Sequence, residues 1–154
     1  MNAQSIESVG GLRALIGAKR DRSLAETAHA YSVRGLKGPE WPLERWAGEN
    51  AQRIRALVRT HADVDHVDLW MDQTKKCSGP EQHALDALLR LHLLSLVSRD
   101  LMWYVSAGLL PPSSDAALRQ NIEIACDMLK NDMAALGEAF RPCTALHSAA
   151  SSAA

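Results

Sequence analysis

One stretch of the sequence spaces a histidine and three aspartates as a metal-binding helix would. His61, Asp65, Asp68 and Asp72 follow one another at intervals of four, three and four residues, which places an imidazole and three carboxylates along one helix face. Transition metals accept both kinds of ligand. Di-iron bundles, however, take a Glu-x-x-His pair from each of two partner helices, and the other long segments supply none. We therefore predict no metal site, and a solvated acidic face beside one packed histidine, His61.

Four basic residues form a second set of candidates. Arg20, Arg22, Arg34 and Lys37 lie along and just after the first predicted helix. They could contact the phosphates of coenzyme A or of a flavin dinucleotide, although such charges more often form a solvated face. No Gly-x-Gly-x-x-Gly loop follows a strand, so a nucleotide-binding βαβ fold is excluded.

Catalysis by this chain has no signal in the sequence. His92 lies among leucines, where a neutral imidazole bonded to a carbonyl or an acid is ordinary, and no serine or cysteine has a base at recognisable spacing. Cys77, Cys126 and Cys143 include no Cys-x-x-Cys pair, which argues against a disulfide framework or a structural zinc site. We predict no catalytic residue and a cytoplasmic location.

Charge and hydropathy exclude two classes of partner. The formal net charge is -1 over 154 residues, so no basic excess is available for nucleic-acid phosphates. No apolar stretch reaches the ~20 residues that a membrane helix needs, and residues 1–10 lack the features of a secretory signal. We expect a globular domain that binds neither nucleic acid nor a membrane.

Apolar residues recur at helical spacing in four long segments, which would position the candidates described above. The first segment runs from Gly11 to about Gly35, with a basic cluster in its middle. The second runs from Pro42 to about Lys76, with a bend expected near Asp63. These two segments and the loop between them carry all four basic candidates and the His61 face.

The third and fourth segments are the most apolar. The third, from Ala84 to Val97, is apolar in almost every direction, which is typical of a helix surrounded by others. It follows a serine, a glycine and Pro80, which suit the cap and first turn of a helix. The fourth carries a clean apolar stripe from Leu118 to Phe140, with Pro142 expected to end it.

Together the segments predict an all-α fold, an antiparallel up-and-down four-helix bundle over residues 11–142. No stretch alternates apolar and polar residues as a strand would. Residues 1–10 and 143–154 are expected to be flexible.

Residues 99–110, which end the most apolar segment, read Arg-Asp-Leu-Met-Trp-Tyr-Val-Ser-Ala-Gly-Leu-Leu before two prolines. This stretch has an acid three residues before an aromatic pair, followed by Gly-x-Leu and a turn. In this order of features it resembles the C-terminal helical domain of the flavin-dependent acyl-CoA oxidases and dehydrogenases. The likeness continues through Asn121, Cys126 and residues 135–140, although the family usually has Asp in place of Glu138. Residues 12–31 and 56–71 resemble the first two helices of that domain, so the likeness spans about residues 8–148.

The resemblance implies a helical chain that completes a larger enzyme. In this family the flavin and the catalytic carboxylate, near a Glu-Gly-Asp-like loop, belong to other domains, and this sequence has neither that loop nor a β-domain. FAD is therefore expected mainly on a partner, a flavoprotein acyl-CoA dehydrogenase or oxidase core. The complex would desaturate an acyl-CoA or acyl-carrier thioester by removing the α-proton and passing the β-hydride to the flavin.

The resemblance also directs attention to the aromatic segment and the helix after it. Five residues are the predicted interface or core anchors: Trp103, Tyr104, Leu109, Leu110 and Phe140. Asp100, beside the aromatic pair, needs a partner that the local sequence does not identify. The alternative is a self-associating helical scaffold or binding module without oxidase activity.

Overall fold

The structure, a computed structural model, describes residues 6–35, 37–38 and 42–139. Within those ranges the regular elements are helices and no strand occurs, which confirms the all-α prediction. None of the described helices combines the length and apolarity needed to cross a bilayer. In chain order the helices are α1 Val9–Gly35, α2 Leu43–Glu49, α3 Ala51–Thr74, α4 Pro80–Arg99, α5 Leu101–Ser106, α6 Ser114–Leu129 and α7 Met133–Ala139.

Helix α4 is the centre of the fold, as its all-round apolar composition predicts. It packs against α1, α3 and α6. Gly79, with a φ of 70°, precedes it and Pro80 occupies its first turn, as expected. Its buried residues are Ala87, Leu89, Leu93, Leu94, Leu96 and Val97.

Helices α1 and α3 run antiparallel. Arg13, near the start of α1, pairs with Asp68, near the end of α3, at 2.6 Å. At the other end, the Trp46 indole N–H donates to the carbonyl oxygen of Ala30 at 3.2 Å. The ion pair therefore joins one end of α1 to α3, and the indole hydrogen bond joins its other end to α2.

The predicted second segment is not one continuous helix: it is divided at Asn50 into α2 and α3, and α3 continues without a break through Asp63. The Asn50 side-chain amide donates to the Trp46 carbonyl oxygen at 2.9 Å, and its oxygen accepts from Arg53 at 2.7 Å. Such local side-chain bonds compete with helical backbone pairing. The prediction was wrong because the apolar spacing continues across the break.

Two further breaks divide the later segments. Asp100 separates α4 from α5, so residues 99–110 do not simply continue the central helix. Helix α6 ends at Leu129, earlier than Pro142, because Asn131 and Asp132 form a turn before α7. Phe140 and Pro142 lie outside the described residues, as does Cys143.

The C-terminal part of α1 contacts α2, where the Tyr31 and Trp46 rings meet edge to face at 5.5 Å between centroids. We call this unit the arm, defined as residues 24–35 and 43–59. Asn50 is the one buried residue among the described part of the arm. Five large apolar side chains of the arm are exposed: Leu24, Tyr31, Val33, Leu43 and Val58.

Candidate functional site

The break between α4 and α5 positions a network of four charged side chains. Asp100 has non-helical dihedral angles, φ -112° and ψ 19°, and serves both helices as a terminal residue. Lys19 Nζ lies 2.7 Å from Asp100 Oδ2, and Arg99 Nη2 lies 3.2 Å from the same oxygen. Arg99 Nη2 also contacts Asp63 Oδ2 at 2.6 Å. The network joins α1, α3 and the α4–α5 junction, and Lys19 is the partner that Asp100 needed.

Burial alone would disfavour the charged form of Asp100. The hydrogen bond and charge of Lys19, together with the charge of Arg99, outweigh burial and hold the pKa of Asp100 below its ordinary value. Burial likewise opposes the charge of Arg99, but Asp63 and Asp100 raise the pKa of that guanidinium. Both groups are therefore charged in the native protein.

Two aromatic rings lie directly beside this network. The Trp103 ring centroid is 5.8 Å from Lys19 Nζ and 5.7 Å from the guanidinium carbon of Arg22, within cation–π range. Tyr104 meets Trp103 edge to face at 5.2 Å. Burial, and to a lesser degree the charge of Asp100, raises the pKa of Tyr104 well above its ordinary value, so the phenol stays neutral.

Three rings form a second cluster between α3 and α4. His92 lies 5.5 Å from both His66 and Trp70, measured between ring centroids. Burial lowers the pKa of His92, and His66 and Arg99 lower it further against the opposing charge of Asp63. His92 is thus a neutral, partly buried imidazole, as the leucine-rich surroundings predict.

The carboxylates of the acidic face that suggested a metal site contact neighbouring Arg, Lys and His side chains. Arg13 binds both carboxylate oxygens of Asp68, at 2.7 and 2.6 Å, and lowers the pKa of Asp68. Asp72 contacts Lys75 at 3.2 Å, and Asp65 contacts His61 at 3.5 Å. In the described part of the chain, no three potential ligands come together around one point. His61 is solvent-exposed, so its predicted packing in the helix seam is wrong.

The comparison with known protein families decides what these elements belong to. A family model described as acyl-CoA oxidase matches residues 22–149, which is most of the chain. The chain belongs to the acyl-CoA oxidase family. The resemblance inferred from residues 99–110 is therefore confirmed. No curated protein and no solved structure matched the chain.

Acyl-CoA oxidases generally use FAD, so we tested the described residues against a flavin dinucleotide. The four basic candidates do not converge. Arg20 contacts Asp21 at 2.8 Å and Arg22 contacts Glu26 at 3.1 Å. Their neighbours are therefore carboxylates, which compete with any phosphate for the same guanidinium.

Arg34 and Lys37 lie apart from the other two, in an open groove of about 450 Å³. Glu26 and Glu49 line the same groove, and Lys37 Nζ is 3.9 Å from Glu49. Two carboxylates in the groove disfavour a dianionic ligand. The described residues of this acyl-CoA oxidase chain do not fit a flavin dinucleotide on their own.

The predicted anchors divide between core and surface. Tyr104 and Leu110 are buried in the core, whereas Trp103 and Leu109 are partly buried against it. Phe140 lies outside the described residues. Sequence reasoning missed Met102, whose side chain is 75% exposed.

Met102 and Trp103 line a groove of about 650 Å³ beside the α4–α5 junction. The Lys19–Asp100 pair underneath was also missed. A signal was available, since Lys19 continues the core-facing spacing of Leu12 and Ile16 and so requires an acidic partner.

Proposed function

We propose that this chain is a non-catalytic helical part of an acyl-CoA oxidase or dehydrogenase assembly, which docks onto a separate flavin-bearing core and completes it. The assembly would introduce an α,β double bond into an acyl thioester of coenzyme A or of an acyl carrier. The observation that carries the proposal is the family match over residues 22–149. FAD would be held by the core, because the basic side chains of this chain do not converge on a common site.

The docking surface in this proposal is the groove beside the α4–α5 junction. Met102 is the most exposed of the large apolar side chains described, and a large exposed apolar group beside a concave surface is typical of an interaction site. Arg99 and Asp115 also line the groove, so charged side chains accompany its apolar ones, as is usual in an interface. Trp103 and Leu109 would contribute from the partly buried layer below.

The junction supplies the rigidity that a docking surface needs. The Lys19–Asp100–Arg99–Asp63 network ties the groove to α1 and α3, so its shape does not depend on α5 alone. Tyr104 and Leu110 support it from the core. In this proposal Tyr104 and Leu110 act as core anchors that hold the docking surface in place.

The arrangement of α1, α3, α4 and α6 forms part of the same proposal. We assign these four helices to an antiparallel up-and-down bundle, supported by the α1–α3 ion pair and by the packing of α4 on the other three. A cytoplasmic location agrees with the free thiols of Cys77 and Cys126.

Co-purification tests the proposal directly. The chain is co-expressed with the reading frames that flank its own gene, captured by a tag, and examined for flavin absorbance. Met102→Glu should lower the recovered flavin about tenfold, since one charge in an apolar contact costs more than 1 kcal/mol. Ile124→Glu, an equally polar change at an exposed apolar residue of α6, is the matched control and should leave recovery unchanged. Capture of the wild-type chain without flavin would contradict the proposal.

A further inference from the structure

The outer side of α3 carries a continuous stripe of exposed residues that the proposed function does not use. The members follow one another at alternating spacings of three and four, the spacing of a coiled-coil seam. Every member is exposed, and the stripe lies opposite the buried side of α3, which contains Val64 and Val67. Its six residues are Arg55, Val58, Ala62, Asp65, Leu69 and Asp72.

The stripe combines a protruding leucine with an apolar groove. Leu69 is 61% exposed and Val58 is 62% exposed. Val58 lines a groove of about 610 Å³ between α1 and α3, together with Leu24 and Leu57. Leu69 lies about 16 Å from Val58 along the helix at a rise of about 1.5 Å per residue, so it cannot fill the groove of its own chain.

We propose that this stripe is the interface of a symmetric homodimer in which α3 of a second copy runs antiparallel across it. A two-fold axis midway between Val58 and Leu69 places Leu69 of each copy on the groove of the other. Both apolar features are then covered at once by a single contact. The proposal stands on the α3 surface and does not depend on the flavoprotein partner.

The charges along the stripe fit this arrangement. The same register places Arg55 opposite Asp72 of the second copy, and Ala62 opposite Asp65. Arg55 has no hydrogen bond or ion pair with any residue that the structure describes. Asp72 contacts Lys75 at 3.2 Å at the surface, an exposed pair that is worth little and is easily exchanged. In a parallel arrangement Arg55 would face Arg55 and Asp72 would face Asp72, so the charges at the two ends of the stripe favour the antiparallel one.

Sedimentation equilibrium of the full chain measures the dimer directly. Wild-type protein should dimerise, and Leu69→Glu should raise the dimer Kd about a hundredfold, because the symmetric change removes two apolar contacts worth about tenfold each. Ile124→Glu is the control, since Ile124 is an exposed apolar residue of α6 away from the stripe. Circular dichroism checks that each variant remains helical. A wild-type chain that stays monomeric at its highest attainable concentration would overturn the proposal.

A charge exchange tests the register. Arg55→Asp and Asp72→Arg should each weaken the dimer about tenfold through like-charge contacts. The double variant restores opposite charges across the two-fold axis and should recover the wild-type dimer Kd. Equal weakening in the single and double variants would overturn the antiparallel register.

Disulfide capture provides an independent measurement. With the native cysteines replaced by serine, Val58→Cys combined with Leu69→Cys should yield covalent dimers under mild oxidation, because facing positions approach disulfide distance. Val58→Cys combined with Ile124→Cys is the control and should not. If Leu69→Glu leaves the oligomeric state unchanged but abolishes flavoprotein capture, the stripe binds the flavoprotein and the homodimer is overturned.

Discussion

Asp100 shows how one side chain can connect helices that are distant in the sequence. Its carboxylate lies at the α4–α5 break, where it accepts from Lys19 of α1 and from Arg99, the last residue of α4. Lys19 is mostly buried, so removing its partner would leave an uncompensated charge in the interior. Asp100 therefore stabilises the packing of α1 on α4 as well as the break itself.

Asp100→Asn should lower the free energy of unfolding by about 1–3 kcal/mol, the cost of leaving a partly buried charged donor without its partner. Urea denaturation monitored by circular dichroism measures the change. Asp65→Asn, at an exposed surface pair with His61, is the control and should change stability by less than about 0.5 kcal/mol. Equal effects of the two substitutions would refute this role of Asp100.

His92 should make stability depend on pH. Its pKa is lowered in the native state, so the unfolded chain takes up a proton first as the pH falls below about 6.5. The neutral imidazole therefore makes its full contribution to the free energy of unfolding above that pH. This contribution is lost as the pH falls toward the pKa of His92 in the native state. His92→Phe keeps an aromatic ring beside His66 and Trp70 and should flatten this part of the profile. Identical slopes for the variant and the wild type would show that another group is responsible.

At the scale of helices, local signals predicted some features and missed others. Gly79 and Pro80 mark the start of α4 because one cap and one first-turn residue suffice to begin a helix. Asn50 was not recognised as a break, since its two side-chain hydrogen bonds form only once Trp46 and Arg53 are in helical positions. The site was harder to predict because its contacts join residues far apart in the sequence.

Gly108 illustrates an element boundary that was predictable. It follows α5 with a φ of 69°, and no neighbouring atom blocks a Cβ there. Gly108→Ala should therefore cost about 1 kcal/mol through backbone strain alone. Gly48→Ala, within α2, should instead stabilise the protein by up to about 1 kcal/mol. The midpoint of thermal unfolding, Tm, measures both effects. Shifts of the same sign in the Tm of the two variants would contradict this account.

Across the molecule that the structure describes, buried side chains are distributed unevenly. The core is concentrated around α4, whereas the arm buries little more than Asn50 in the part that the structure describes. A segment with few buried apolar contacts opens more readily than the core. The arm also carries Val58 and Leu24, so the proposed homodimer would cover a region that packs poorly in one copy.

Hydrogen exchange should resolve this difference. Amides in residues 24–35 and 51–59 are expected to open at a free energy about 2 kcal/mol or more below those of residues 87–97 in α4. Exchange is followed by mass spectrometry in the Leu69→Glu variant, which is expected to be monomeric and so reports on a single copy of the chain. In the wild-type dimer, the amides of the arm should be protected more strongly than in this variant. Uniform protection along α1 in the variant would show that the arm is as stable as the core.

The Lys19–Asp100 contact also has a consequence for the order of folding. More than half of the chain lies between these two residues, so the pair forms only after α1 and α4 have been brought side by side through the intervening helices. Closing so long a loop carries an entropic cost that local helical turns do not. We therefore expect the contact to form after the barrier to folding is crossed, so that Asp100→Asn accelerates unfolding and leaves the refolding rate nearly unchanged.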